Sequence, residues 1–192
     1  VTEIVIDTPR LSLRNWSDAD REPMFAHCNS RPNVMRWLGG VQTREKTGEM
    51  IDKLIRWQAD DGHTFWAVER KEDGELLGFC GLKRIDRACI PDIGTPEIGW
   101  RLREDAWGQG YAREAAAASL DYGFDTRGME FISALTLPGN TPSWGLMERL
   151  GMTRREDLDY FDEEEWGPKV GKEIVYRIAS EAWARIRQEI AA

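Results

Sequence analysis

With 192 residues, 41 % of them apolar and 31 % charged, the chain has the length and balance of one well-buried globular domain, and its composition gives no argument for disorder, collagen-like repeats or a coiled coil. Its 26 basic and 34 acidic residues leave a formal charge of −8, which repels nucleic-acid phosphate, and no local basic patch overrides it. The acidic surplus suits a cationic small substrate, but a surface that is merely solubilising explains it better, so it is no evidence for one.

Arg10 to Trp16 alternates polar and apolar residues, the period of a half-buried strand, and is expected to open the sheet. Ser17-Asp18-Ala19-Asp20 has the form of a capping box before a first helix with Met24, Phe25 and Cys28 on its apolar stripe. A short helix over Asn33 to Leu38 is expected to stop at Gly39-Gly40. A longer one after Thr43 carries Met50, Ile51, Leu54, Ile55 and Trp57 and ends at Asp60-Asp61-Gly62. Thr64 to Glu69 and Leu76 to Leu82 read as an antiparallel hairpin about Lys71-Glu72-Asp73-Gly74. Another strand spans Glu97 to Leu102, followed by a Gly-rich turn and an alanine-rich helix from about Tyr111 to Phe124. Then come a strand at Phe131 to Leu137, a helix through Trp144, Met147 and Leu150 that stops at Gly151, strands near Thr153 to Tyr160 and Glu173 to Ile178, and a last helix containing Ala182 to Ile190. The order is mixed α/β, with no internal repeat.

Cys28, Cys80 and Cys89 form no C-x-x-C pair, the sequence has no apolar run of about 20 residues, and a chain without a signal peptide is expected. A cytoplasmic chain without a disulfide framework or membrane contact is expected.

The informative segment is Asp105-Ala106-Trp107-Gly108-Gln109-Gly110-Tyr111-Ala112-Arg113-Glu114-Ala115. Glycines permit a backbone turn that side chains block, and a helix start leaves amide donors without internal partners, so the segment can take a pyrophosphate. Two glycines before a helix also describe an ordinary loop. A dinucleotide fingerprint needs Gly or Ala where Arg113 stands, and a P-loop needs Gly-Lys-Ser/Thr after the glycines; neither is met.

In the order of its motifs the chain resembles the GNAT acyltransferases, and within them the RimJ/RimL-like branch that acetylates ribosomal-protein N-termini. The motifs are Thr8-Pro9-Arg10-Leu11-Ser12-Leu13-Arg14, Glu97-Ile98-Gly99-Trp100, Trp107-Gly108-Gln109-Gly110-Tyr111-Ala112, Asn140-Thr141-Pro142-Ser143 and Glu148-Arg149-Leu150-Gly151-Met152. The resemblance implies a single GNAT-like domain over 1–192, with a central, mostly antiparallel twisted sheet splayed in the middle and helices on both faces. It also implies acetyl-coenzyme A as cosubstrate, with the pyrophosphate against Gly108, Gln109, Gly110, Tyr111, Ala112 and Arg113. Trp107 departs from the Arg or Gln frequent at its place. The strand holding Trp100, Arg101 and Leu102 is expected to part from its neighbour near Leu135 to Leu137 and admit the pantetheine arm, a β-bulge or Gly99 easing the split.

Amide formation from a thioester needs a neutral amine, so a base is required; Glu97 is the candidate, against its reading as an exposed strand-end carboxylate. By resemblance Ser143 protonates the departing thiolate and Asn140 contacts pantetheine, although either could simply cap a helix. A backbone amide between Trp100 and Leu102 would stabilise the charged carbonyl oxygen. No metal is expected, since the histidines are His27 and His63 and no H-E-x-x-H motif occurs. His63 reads as a turn or surface residue and Tyr160 as strand packing. Trp37, Trp57 and Trp166 are candidates for a substrate mouth, and Asp162-Glu163-Glu164-Glu165 reads as a solvated loop. The acceptor is an amine-bearing small molecule or a protein N-terminus, and a homodimer stays open. A non-catalytic acyl-coenzyme A sensor is the alternative, and a scaffold with an unrelated amine-binding role a third.

Overall fold

Eight strands run through the described residues: β1 (Ile4–Asp7), β2 (Leu11–Arg14), β3 (Phe65–Arg70), β4 (Leu76–Arg84), β5 (Pro96–Leu102), β6 (Phe131–Thr136), β7 (Thr153–Arg154) and β8 (Ile174–Ala179). They come from a computed structural model that describes residues 2–162 and 172–191. Their order is β1-β2-β3-β4-β5-β6-β8-β7. The β5–β6 pair is parallel, whereas β1–β2, β2–β3, β3–β4, β6–β8 and β7–β8 are antiparallel. The chain divides into two compact units, Val1–Lys83 with Gly99–Ser119 and Arg84–Ile98 with Leu120–Ala192.

In the first unit β1 precedes the strand expected to open the sheet and pairs with it. Nor is β2 half-buried, since all four of its residues are shielded. Leu11 and Leu13 fill one face. On the other, Ser12 meets Asp7 and Arg14 is bonded to Asp20 and Glu69. A buried cation is tolerated when paired, which is how a polar face can be covered. Asp20 also takes the Ser17 N–H at 2.8 Å, as the Ser17 to Asp20 pattern predicts.

A 3₁₀ turn, α1 (Arg21–Met24) and a π-helical stretch to Asn29 follow, then α2 (Pro32–Met35) and α3 (Arg44–Asp61). The helix expected over Asn33 to Leu38 is thus shorter. Thr43 caps α3 by accepting the Lys46 N–H at 3.2 Å, and Gly62 stops it at φ 72°. Trp16, Met24, Cys28, Ile51, Leu54 and Phe79 make a hydrophobic core cluster, each large side chain contributing about 1.5–3 kcal/mol by leaving water. At Gly78 a Cβ would stand 2.1 Å from the Arg101 carbonyl oxygen, so only glycine lets β4 approach β5 this closely.

The second unit holds β6 to β8, α5 (Thr141–Arg149), α6 (Ser180–Ala191) and the end of α4 (Tyr111–Asp121). A long strand to Tyr160 does not form: β7 is two residues, followed by a 3₁₀ turn at Glu156–Leu158 and a lone bridge from Tyr160 to Glu173. Arg154 and Asp159, joined by two bonds of 2.5 Å, fold the segment back on itself. Tyr160 packs with Ile85, Ile90 and Val175.

Candidate active site

The Gly-rich turn lies wholly in the first unit. Gly108 and Gly110 have φ of 72° and 81°, a region that L side chains avoid, and α4 begins immediately after them. Among the described residues, none of the main-chain N–H groups from Gly108 to Arg113 has a hydrogen-bond partner. Six donors at a helix start, with the positive end of the helix dipole behind them, form a cradle fit for a diphosphate.

Residues far away in the chain set the shape of the cradle. Arg10 Nη1 donates to the Gln109 carbonyl at 2.9 Å, its guanidinium carbon lies 4.5 Å from the Tyr111 ring centroid, and its Nε meets Glu114 Oε2 at 2.6 Å. A trans peptide points its C=O and N–H in opposite directions, so pinning the Gln109 carbonyl to Arg10 aims the Gly110 N–H away from it. Glu114 Oε1 also accepts the Arg10 N–H at 2.9 Å and stands 2.7 Å from Thr8 Oγ1. Burial raises the Glu114 pKa, but hydrogen bonds from Thr8 and Arg10 outweigh it and hold the carboxyl below its ordinary range. Inspection of the turn alone misses Arg10 and Glu114 as positioning residues; Arg10 stands in the Thr8 to Arg14 motif, whereas Glu114 lies two residues past the Trp107 to Ala112 motif. Arg113 is exposed at the mouth of the turn.

β5 presents the second element. Arg103 N–H donates to Leu77 O on β4 at 2.7 Å, and residues two apart share a strand edge, so the Arg101 amide also faces β4. The Trp100 and Leu102 amides therefore face the other edge. There Leu102 O accepts the Trp107 indole N–H at 2.9 Å, which fixes this exposed ring beside the turn. β6 pairs with β5 at Glu97↔Ser133, and between Gly99 and Leu102 that edge has no strand partner among the described residues.

Glu97 is half-buried at the start of β5, near enough to Tyr160 to act on its hydroxyl. Burial, then Glu173, push the Tyr160 pKa up strongly, so it stays protonated. Asn140 does not cap α5: its Nδ2 donates to Thr136 Oγ1 at 3.0 Å. Ser143 sits half-buried in the first turn of that helix. His63 is not a surface residue but buried, its Nδ1 3.0 Å from Leu82 O. Asp162 is likewise buried, paired with Arg87, because one end of the supposed solvated loop is tied into the second unit. Glu163, Glu164, Glu165 and Trp166 lie outside the described residues. Trp37 and Trp57 are half-buried, Trp57 against the core of the first unit with Lys53 Nζ 4.6 Å from its ring. Among the described residues, no group of three or more His, Cys, Asp or Glu could hold a metal ion and no helix is long and apolar enough to cross a membrane.

Comparison with known proteins points to one family. The family model described as acetyltransferase (GNAT) domain matches residues 10–153. The chain is 35 % identical over 153 residues to the uncharacterized protein YkkB of Bacillus subtilis, covering 79 % of this chain and 85 % of that one. It is 32 % identical over 150 residues to the uncharacterized N-acetyltransferase YnaD of the same organism, covering 78 % and 82 %. A solved GNAT-family acetyltransferase from Bacillus anthracis superposes with a TM-score of 0.75 at 29 % identity, over 92 % of this chain and 98 % of that one.

Proposed function

The chain belongs to the GNAT acetyltransferase family, and on that premise we propose that it moves an acetyl group from acetyl-coenzyme A to a primary amine by direct attack. Its eight-stranded, mostly antiparallel sheet with helices is the GNAT fold, and it is an acetyl-coenzyme A-dependent acetyltransferase. The cosubstrate supplies an acetyl group already activated as a thioester.

The observation that carries the proposal is the row of unpartnered amides from Gly108 to Arg113 beside a strand edge that is open at Trp100 and Leu102. In this reading the row holds the diphosphate, and the strand edge takes the pantetheine amides as an added strand would. Of the three amides first considered for the carbonyl oxygen, those of Trp100 and Leu102 are on the accessible edge, so one of them receives the developing negative charge. Glu97 removes the amine proton, Ser143 returns one to the thiolate, and Asn140 contacts pantetheine. The acceptor is a protein N-terminus or a small amine. The motif order from Thr8 to Met152 favours the ribosomal-protein branch, and 1–192 is read as one domain.

Thiol release from acetyl-coenzyme A across a panel of N-terminal peptides and small amines tests the proposal. Release above background with at least one amine is expected. Binding of the coenzyme without release from any amine would select the sensor reading instead.

Arg10 provides a sharper test of the cradle. Arg10→Ala should raise the KM for acetyl-coenzyme A by about 10-fold or more, the value of one charge-assisted bond, while kcat stays within about twofold. An unchanged KM would show that the turn keeps its shape without the guanidinium.

A further inference from the structure

Trp107 is 48 % exposed, so burial alone does not hold its ring; a hydrogen bond from its one polar atom does. The 3₁₀ turn at Glu104–Ala106 folds the chain back after β5, tied by the Ala106 N–H to Arg103 O and the Trp107 N–H to Glu104 O, both at 3.1 Å. Arg103 braces that turn through Asp105 at 2.6 Å and Glu75 at 2.9 Å. The indole thereby lies against the end of the strand, where Nε1 donates to Leu102 O at 2.9 Å. All of these residues belong to the first unit.

The N–H and C=O of one strand residue point to the same edge. Arg103, and with it Arg101, faces β4, so the opposite edge presents, toward the glycine turn, Trp100 N–H, Trp100 C=O, Leu102 N–H and Leu102 C=O. Trp107 takes the last of the four. An indole donates and does not accept, so it removes Leu102 O from the edge and offers no polar group in return. A donor, an acceptor and a donor are left. A pantetheine arm laid along them as an added strand can place an amide N–H on Trp100 C=O and a carbonyl on Leu102 N–H. A slip of two residues toward the turn, about 7 Å along the strand, would need Leu102 O for that N–H.

We propose that Trp107 is a positioning residue that closes the strand edge at Leu102 and so sets the register of the pantetheine arm, fixing how far the acetyl thioester reaches along β5. The inference rests on the acetyltransferase reading and deepens it. With the diphosphate on the glycine turn and slippage barred at Leu102, the thioester carbonyl is presented at one place. A misplacement of about 1 Å at a reacting centre costs up to about 100-fold in rate.

Trp107→Phe keeps an aromatic ring and removes the N–H. Thiol release is compared with acetyl-coenzyme A and with S-acetylpantetheine, which has the arm but no diphosphate and so cannot use the turn. The variant should lose about tenfold in kcat with acetyl-coenzyme A while KM stays within about threefold, and at least about tenfold in kcat/KM with S-acetylpantetheine. A loss confined to acetyl-coenzyme A and carried by KM would make Trp107 a support of the glycine turn and overturn the proposal, as would wild-type rates with both donors. No release from S-acetylpantetheine by the wild type, where acetyl-coenzyme A gives it, would show that the edge alone does not seat the arm and would count equally against it. Failure of every amine to release thiol from acetyl-coenzyme A would remove the underlying activity instead. A coenzyme A complex of the wild-type protein keeps the test open even if Trp107→Phe does not fold. There the indole should remain on Leu102 O with the arm bonded to Leu102 N–H, whereas an arm bonded to Leu102 O in place of the indole would refute the register assignment.

Discussion

Glu97→Gln is expected to lower kcat by about 100-fold or more while the KM for acetyl-coenzyme A stays within about twofold. The exchange keeps the size of the side chain and removes its ability to take a proton, so the loss reports deprotonation of the amine rather than packing. Position supports the assignment. Glu97 is half-buried, and it stands in β5 where that strand is still paired with β6 at Ser133, just before the residues whose edge is open. Steady-state thiol release at saturating amine separates the two parameters. Turnover within a few-fold of wild type would move the base to another group. An equal rise in KM would mean instead that the substitution disturbs the path of β5.

Asp20→Ala should cost about 3–5 kcal/mol of folding stability, the range for breaking a buried ion pair from one side. The Arg14 and Asp20 side chains keep only 10 % and 5 % of their exposure and meet in two bonds of 2.9 and 2.7 Å. Removing the carboxylate leaves a guanidinium in the covered face of β2, with Glu69 at 2.7 Å as its remaining counterion. Urea melts at neutral pH measure the loss. A change below about 1 kcal/mol would show Glu69 to be sufficient by itself, as for an exposed pair.

The same pair predicts a pH dependence. Burial alone would raise the Asp20 pKa, but the bonds from Arg14 and Ser17 prevail and place it below its ordinary value. A carboxyl held lower in the folded state than in the unfolded chain stabilises the fold fully above its unfolded pKa of about 3.9, and that stabilisation is lost as the pH falls through the folded value. Wild type should therefore lose stability on acidification below about pH 4 more steeply than Asp20→Ala.

Much of this was legible in the chain itself. Gly62 ends α3, Asp73-Gly74 turns the β3–β4 hairpin, and Gly108 and Gly110 precede α4 as the composition of those segments predicts. β1 escaped notice because Ile4–Asp7 is a short run with little alternation, and the segment after β7 was overread because its alternation is defeated by the pairing of Arg154 with Asp159. The burial of His63 and Asp162 was also hidden, since both partners, the Leu82 carbonyl and Arg87, are remote in sequence.

Apart from β1 and the segment after β7, the order of helices and strands, and the glycine turn before α4, were legible in the sequence alone, because periodicity, caps and glycine conformation act over three or four residues. Only the tertiary structure decided that Arg10 reaches across 99 residues to hold the Gln109 carbonyl and that Asn29 meets Arg101 across 72. Chain closure creates such partnerships, and spacing along the sequence carries no record of which groups it will bring together or leave apart.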